Sequence, residues 1–115
     1  MELRIERQSL MRSLSHVQSV VERRNTIPIL SNVLIECEGD AVTLTATDMD
    51  LTITETTGAS VANPGAVTAP AHMLFDIVRK LPDGVEVGLT SQSDTGRMIL
   101  TAGKARFELS TLPRE

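Results

Sequence analysis

Four side chains spaced for one helix face carry the most suggestive chemistry in this chain. Arg12, His16, Ser19 and Arg23 fall at i, i+4, i+7 and i+11 with no acid among them. A helix there would align its cations along one side. Cations along a rigid face suit the phosphate backbone of a nucleic acid and give affinity without base preference. The same pattern also fits a face that simply meets solvent. A second helical segment turns His72 and Arg79 outward, and two such faces together would make one positive surface. A third group, Arg97, Lys104 and Arg106, flanks Phe107 and Leu109, whose spacing sends both to one side of a strand. On an edge strand these five would form a docking surface. In the other reading, Phe107 and Leu109 fill the core.

Other chemistries find less support. Asp48-x-Asp50 alternates with Met49 and Leu51, which is the pattern of a strand with an outward acidic face rather than a metal site. His16 and His72 lie on different segments with no Cys or Glu at ligand spacing, so no zinc site is expected. Cys37, the one cysteine, falls on the apolar side of its strand and reads as a small buried hydrophobe. Gly-x-Ser-x-Gly, a glycine-rich phosphate loop and Cys-x-x-Cys are all missing from the sequence. No active site, metal or cofactor is expected. A small hydrolase built on Asp48, Asp50 or His16 would need a turnover that their substitution abolishes.

The elements that position these groups follow from periodicity. Leu3 to Glu6 alternates as a short strand, and Ser9 is placed to cap a helix from Leu10 to Glu22. Leu10, Leu14, Val17 and Val21 form its apolar stripe, and Pro28 marks its end. Strands are expected at Asn32–Glu38, Ala41–Thr47 and Asp48–Thr57, the first two joined by a two-residue turn at Gly39-Asp40. Asn63-Pro-Gly65 separates two halves. The second half reads as a strand at Ala66–Ala69, then a helix at Ala71–Leu81 with Pro70 placed for its first turn. Strands follow at Val85–Thr90, Arg97–Ala102 and Ala105–Thr111.

The halves repeat each other. Leu44-Thr-Ala46 answers Leu100-Thr-Ala102, and the same offset sets Leu51 and Ile53 against Phe107 and Leu109. Leu10, Met11 and Leu14 answer Leu74, Phe75 and Val78. The expected fold is α+β: a strand–helix–three-strand unit written twice, giving one pseudo-two-fold domain over residues 1–115.

Composition sets further bounds. With 41% hydrophobic and 23% charged residues the chain is an ordinary globular one. Two Phe with no Trp or Tyr leave no stacking platform for single-stranded nucleic acid. Residues 1–24 hold five Arg against three Glu, while the rest holds six Lys or Arg against twelve Asp or Glu. A basic leading element on an acidic domain can keep one face positive and the rest negative. Arg4, Glu6 and Arg7 interrupt any leading apolar run, and no apolar stretch nears the about 20 residues that span a bilayer. The expected compartment is the cytoplasm.

Several blocks in order resemble one family. They are Arg24-Asn-Thr-Ile-Pro-Ile-Leu30 with Asn32, Leu44-Thr-Ala-Thr-Asp-Met49, Pro70-Ala71 leading to Phe75-Asp-Ile77, Leu81-Pro82, and Arg106-Phe-Glu-Leu-Ser-Thr-Leu-Pro113. The resemblance is to the N-terminal domain of the bacterial sliding clamp family, the DNA polymerase III beta subunits, and it covers the whole chain. It implies the DNA-clamp fold, with two helices on one face and antiparallel sheets on the other. It also implies that this is the first of three domains in a subunit, two of which close a ring around duplex DNA. Helices would line the hole, and the ring would tether the replicative polymerase without catalysing a reaction.

By the same resemblance, Arg24 matches a DNA-contacting position, and Arg12, Arg79 and His72 match basic positions on the pore-lining helices. Arg97, Lys104 and Arg106 match residues that pair with acids on the third domain of the other subunit. Phe107 and Leu109 match apolar residues of that contact. Met73 departs from the pattern, because a Lys can occur there. The implied partners are double-stranded DNA without sequence preference and a second subunit in a homodimer. The polymerase and the clamp loader would be reached through later domains, and no membrane is involved. The alternative is a free-standing protein-interaction domain without a DNA role.

Overall fold

In the computed structural model, the described residues are 1–21, 32–47, 51–92 and 96–111. The elements run β1 (Glu2–Glu6), α1 (Arg7–Gln18), β2 (Asn32–Glu38), β3 (Ala41–Thr47), β4 (Thr52–Gly58), β5 (Ser60–Asn63), β6 (Gly65–Pro70), α2 (Ala71–Arg79), β7 (Glu86–Gln92), β8 (Arg97–Ala102) and β9 (Ala105–Ser110).

Alternation does its expected work in β2 and β3. Val33, Ile35 and Cys37 are buried, as are Val42, Leu44 and Ala46, while their neighbours are at least partly exposed. Leu10, Leu14 and Val17 bury the apolar stripe of α1, and Val21 joins them just past its end. The helix begins earlier than Ser9 suggests. Arg7 continues directly from β1, and Glu6 at the cap position makes no side-chain cap bond. The reason is a backbone partner from elsewhere: the Arg7 N–H donates to the Val85 carbonyl at 3.0 Å. One of the orphan donors of the first turn is thereby satisfied without a capping side chain. Pro70 likewise stands at the cap of α2 rather than inside its first turn.

Two antiparallel sheets form, in the orders β4-β3-β2-β6 and β5-β1-β7-β8-β9. The two halves exchange their first strands. β1 pairs with β7, setting Leu3 against Leu89 and Ile5 against Val87. β6 pairs with β2, setting Val67 against Ile35 and Ala69 against Val33. The repeated unit is therefore present, but neither copy owns a complete sheet. β5 is an element that the sequence pattern does not show. It is four residues long with Val61 its only large apolar side chain, and it extends the β1 edge through Leu3 and Val61.

The register corrects one part of the repeat. Ala46 pairs with Ile53 across β3 and β4, while Ala102 pairs with Ala105 across β8 and β9. Six residues separate Ala46 from Ile53, whereas only Gly103 and Lys104 separate Ala102 from Ala105, so the first connection is four residues longer. Glu55 and Thr57, not Leu51 and Ile53, thus take the places of Phe107 and Leu109. Gly39 and Gly103 both have positive φ, 62° and 59°, a conformation that side chains with a Cβ disfavour and that fits the tight turns expected there.

Both helices and the inner faces of both sheets share one core, including Leu3, Leu10, Leu14, Ile35, Leu44, Leu74, Leu89, Met98 and Leu100. Arg7 locks the halves together at the edge of that core. Its side chain is only 13% exposed. Nε donates to the Val78 carbonyl at 3.1 Å and Nη2 to the Arg79 carbonyl at 2.9 Å, while Nη1 reaches Asp83 at 2.8 Å. The first residue of α1 thus caps the last turn of α2, where a cation also meets the negative end of the helix dipole. Asp83 is well exposed and adds little.

Replacing Arg7 with Met should cost about 2–3 kcal/mol in urea unfolding of residues 1–115, since two carbonyls lose a charged donor. Arg7→Lys should recover less than half of that, because an ammonium cannot reproduce the guanidinium fork. A loss below about 0.5 kcal/mol, the range of an unremarkable surface change, would contradict the assignment.

Candidate functional site

The outward side of α1 presents Arg12 exposed and His16 about half exposed. His16 is not surrounded by cations alone. Its Nδ1 lies 3.2 Å from Glu55 Oε1 on β4, so an acid from another element meets the stripe that contains none in its own helix. Ser19 Oγ turns back to donate to the His16 carbonyl at 2.7 Å. Arg23 and Arg24 fall outside the described residues, as do Asp48 and Asp50. On α2, Arg79 is exposed and sits 3.4 Å from Asp76 one turn earlier. Exposed pairs of this kind hold a side chain loosely and leave it able to meet another anion.

His72 is placed differently from its sequence reading. Its ring is partly buried, and Nε2 lies 2.6 Å from the Val21 carbonyl just beyond α1. A carbonyl only accepts, so Nε2 is the donor. Nδ1 is buried and has no hydrogen-bond partner among the described residues. A helical wheel turns His72 away from the core stripe but does not reveal that the end of α1 covers it. The expectation that His72 faces outward is corrected here.

The second surface forms between α2 and β9. β9 is an edge strand, as the docking reading requires. Phe107 and Leu109 do share one side of it, but they separate in depth. Leu109 is 1% exposed and pairs with buried Met98, so it belongs to the core and offers no contact area. Phe107 is partly buried opposite Leu100 and lines an open groove with Met73, Ile77 and Leu81, rimmed by Asp76 and Lys80. Met73 is 53% exposed. Ile77 and Leu81 are partly buried against the core and line the groove with their remaining surface. Around the same edge, Arg97 and Arg106 lie 3.7 and 3.1 Å from Glu108, and Lys104 is exposed in the turn. Among the described residues, the edge thus carries three cations and one acid beside an apolar groove.

Cys37 is buried, and burial pushes its thiol up, against a smaller opposing effect from a backbone hydrogen bond to Gly65. No group of three or more His, Cys, Asp or Glu is arranged for a metal among the described residues. No described helix is long and apolar enough to cross a membrane.

The family described as "DNA polymerase III beta subunit, N-terminal domain" matches residues 1–115. This chain belongs to that family. The beta sliding clamp of Caulobacter vibrioides is 54% identical over 113 residues, covering 98% of this chain and 30% of the relative. The beta sliding clamp of Escherichia coli is 37% identical over 118 residues, with 98% and 31% covered. Among solved structures, the DNA polymerase sliding clamp from Caulobacter crescentus superposes with a TM-score of 0.96 at 54% identity, covering 99% of this chain and 31% of that one. A sliding clamp from Bartonella birtlesii bound to griselimycin gives 0.93 at 47% identity, with 99% and 30% covered. The chain therefore spans about 30% of the length of these relatives. The α+β fold read from the repeat, and the clamp fold implied by the resemblance, are the fold observed.

For a beta-subunit N-terminal domain built this way, Leu109 and Phe107 should respond differently. Leu109→Ala should cost about 2–5 kcal/mol of domain stability, as large-to-small core changes do. Phe107→Ala should cost clearly less, because the ring already stands partly in solvent. Thermal melts of the two variants of residues 1–115 check this. Equal losses would place Phe107 in the core and remove the groove.

Proposed function

We propose that this chain is the first of three domains of a ring-forming subunit that encircles duplex DNA and holds a replicative polymerase to its template. The observation that carries the reading is the close superposition on sliding clamps over nearly all of this chain, with exposed arginines on both helices. The relatives are bacterial proteins named for that role, and a free-standing interaction domain is not favoured. The role is non-catalytic, and the work is done in the interior of the cell.

Two surfaces divide the task. Arg12 and Arg79 face the duplex, joined by Arg24 from the segment after α1. Long flexible cations follow any backbone, so these contacts select charge and not sequence. The groove at Phe107, Met73, Ile77 and Leu81 takes an apolar element of a second subunit, while Arg97, Lys104 and Arg106 meet its acids. Glu108 already engages two of these arginines, so the partner's acids exchange one ion pair for another and contribute mainly orientation. Most of the affinity between subunits then comes from the apolar groove. Met73 supplies area there without an ion pair.

The test is salt dependence of DNA binding by the full-length subunit. Substituting Arg12, Arg24 and Arg79 by Ala should weaken binding while the ring stays closed in sedimentation, and the salt slope should fall by about one unit for each phosphate interaction removed. The isolated domain should hold duplex DNA only at about 10⁻⁴ M or weaker at physiological salt. An unchanged slope in the triple variant would show these arginines to be solvated surface only.

A further inference from the structure

We propose that His72 is a positioning residue for DNA binding: it acts by fixing the end of α1 against α2, and does not touch phosphate. The inference rests on the reading of the two helices as the DNA-facing surface. Its basis is a reciprocity between the helices. Arg7 in the first turn of α1 donates to the last carbonyls of α2, Val78 and Arg79. His72 in the first turn of α2 donates to Val21, immediately after the last turn of α1. Helices side by side and antiparallel are thus tied head to tail at both ends. Each tie crosses from one repeat to the other.

The exposed cations depend on these ties. Arg12 projects from the middle of α1 and Arg79 from the end of α2, and Arg79 has its own carbonyl held by Arg7. The separation of the two guanidinium groups is therefore set by how the helices are braced. Val21 is also the residue from which the chain departs towards Arg23 and Arg24 in sequence. A phosphate contact would use His72 differently. It needs a ring nitrogen in solvent carrying a proton, whereas here one nitrogen is committed to a carbonyl and the other is buried. Both ring nitrogens are withdrawn from a ligand outside.

Gln separates the two roles, since its amide N–H can donate to the Val21 carbonyl yet brings no charge. In the full-length protein, His72→Ala should weaken retention of a plain duplex by about threefold or more, in the range of mutations that act through packing rather than contact. His72→Gln should restore it to within about twofold, with a salt slope equal to that of the unmodified protein. A Gln variant as weak as the Ala variant would overturn the proposal, and so would an Ala variant that binds as the unmodified protein does. Should His72→Ala fail to fold, the Gln variant decides alone: a slope lower by about one unit marks the removal of a phosphate interaction and overturns the proposal. Failure of the underlying DNA reading would look different, because the unmodified protein itself would then bind duplex without salt dependence.

Discussion

Each half of this domain completes its sheet with a strand from the other, and that exchange governs the rest of the structure. β1 lies beside β7 and β6 beside β2, so neither repeat can bury its inner face alone. The exchange also brings each helix out of a strand that belongs to the opposite sheet. The first turn of α1 consequently lies against the last turn of α2, where Arg7 finds three acceptors. Pairing residues about 85 positions apart is costly in loop-closure entropy, and the reward arrives only when both sheets close on the common core. Local helix propensity contributes little here: α2 is nine residues long and would not persist without its tertiary contacts.

Pseudo-symmetry of backbone does not mean symmetry of surface. The inner position of β9 held by Phe107 corresponds to Glu55 in β4, by the register of the two hairpins. Glu55 faces His16, and α1 packs along β4, which closes that side with a polar pair. Phe107 faces Met73 and Ile77 across an open apolar groove instead. One repeated architecture thus ends in two unlike edges. Unlike edges are what a heterologous contact needs, since a ring grows by matching one surface to a different one.

The sequence revealed as much as periodicity can reveal. The alternation of Val33, Ile35 and Cys37 and the stripe of Leu10, Leu14 and Val17 identified core faces correctly, because those patterns report a single buried side. Depth was less legible. Phe107 and Leu109 share a side of β9, yet only the position of α2 decides that one is core and the other lines a groove. His72 failed for the same reason, since its partner is a backbone carbonyl 51 positions away. β5 was too short to alternate. The helix start was displaced because its first N–H is satisfied by Val85 rather than by a capping side chain, and no local motif records that. Arg24 is carried by resemblance and lies outside the described residues.

In the proposed role, retention on DNA divides between weak, sequence-blind contacts and topological closure of the ring. Closure is the central claim. It is tested most directly by loading the full-length protein on a circular duplex, washing at a salt concentration that suppresses phosphate contacts, and then cutting the circle once. The account predicts that the protein stays on the intact circle through the wash and is lost after linearisation. Equal retention on the circle and on the linear product would contradict it, as would complete loss from the circle during the wash.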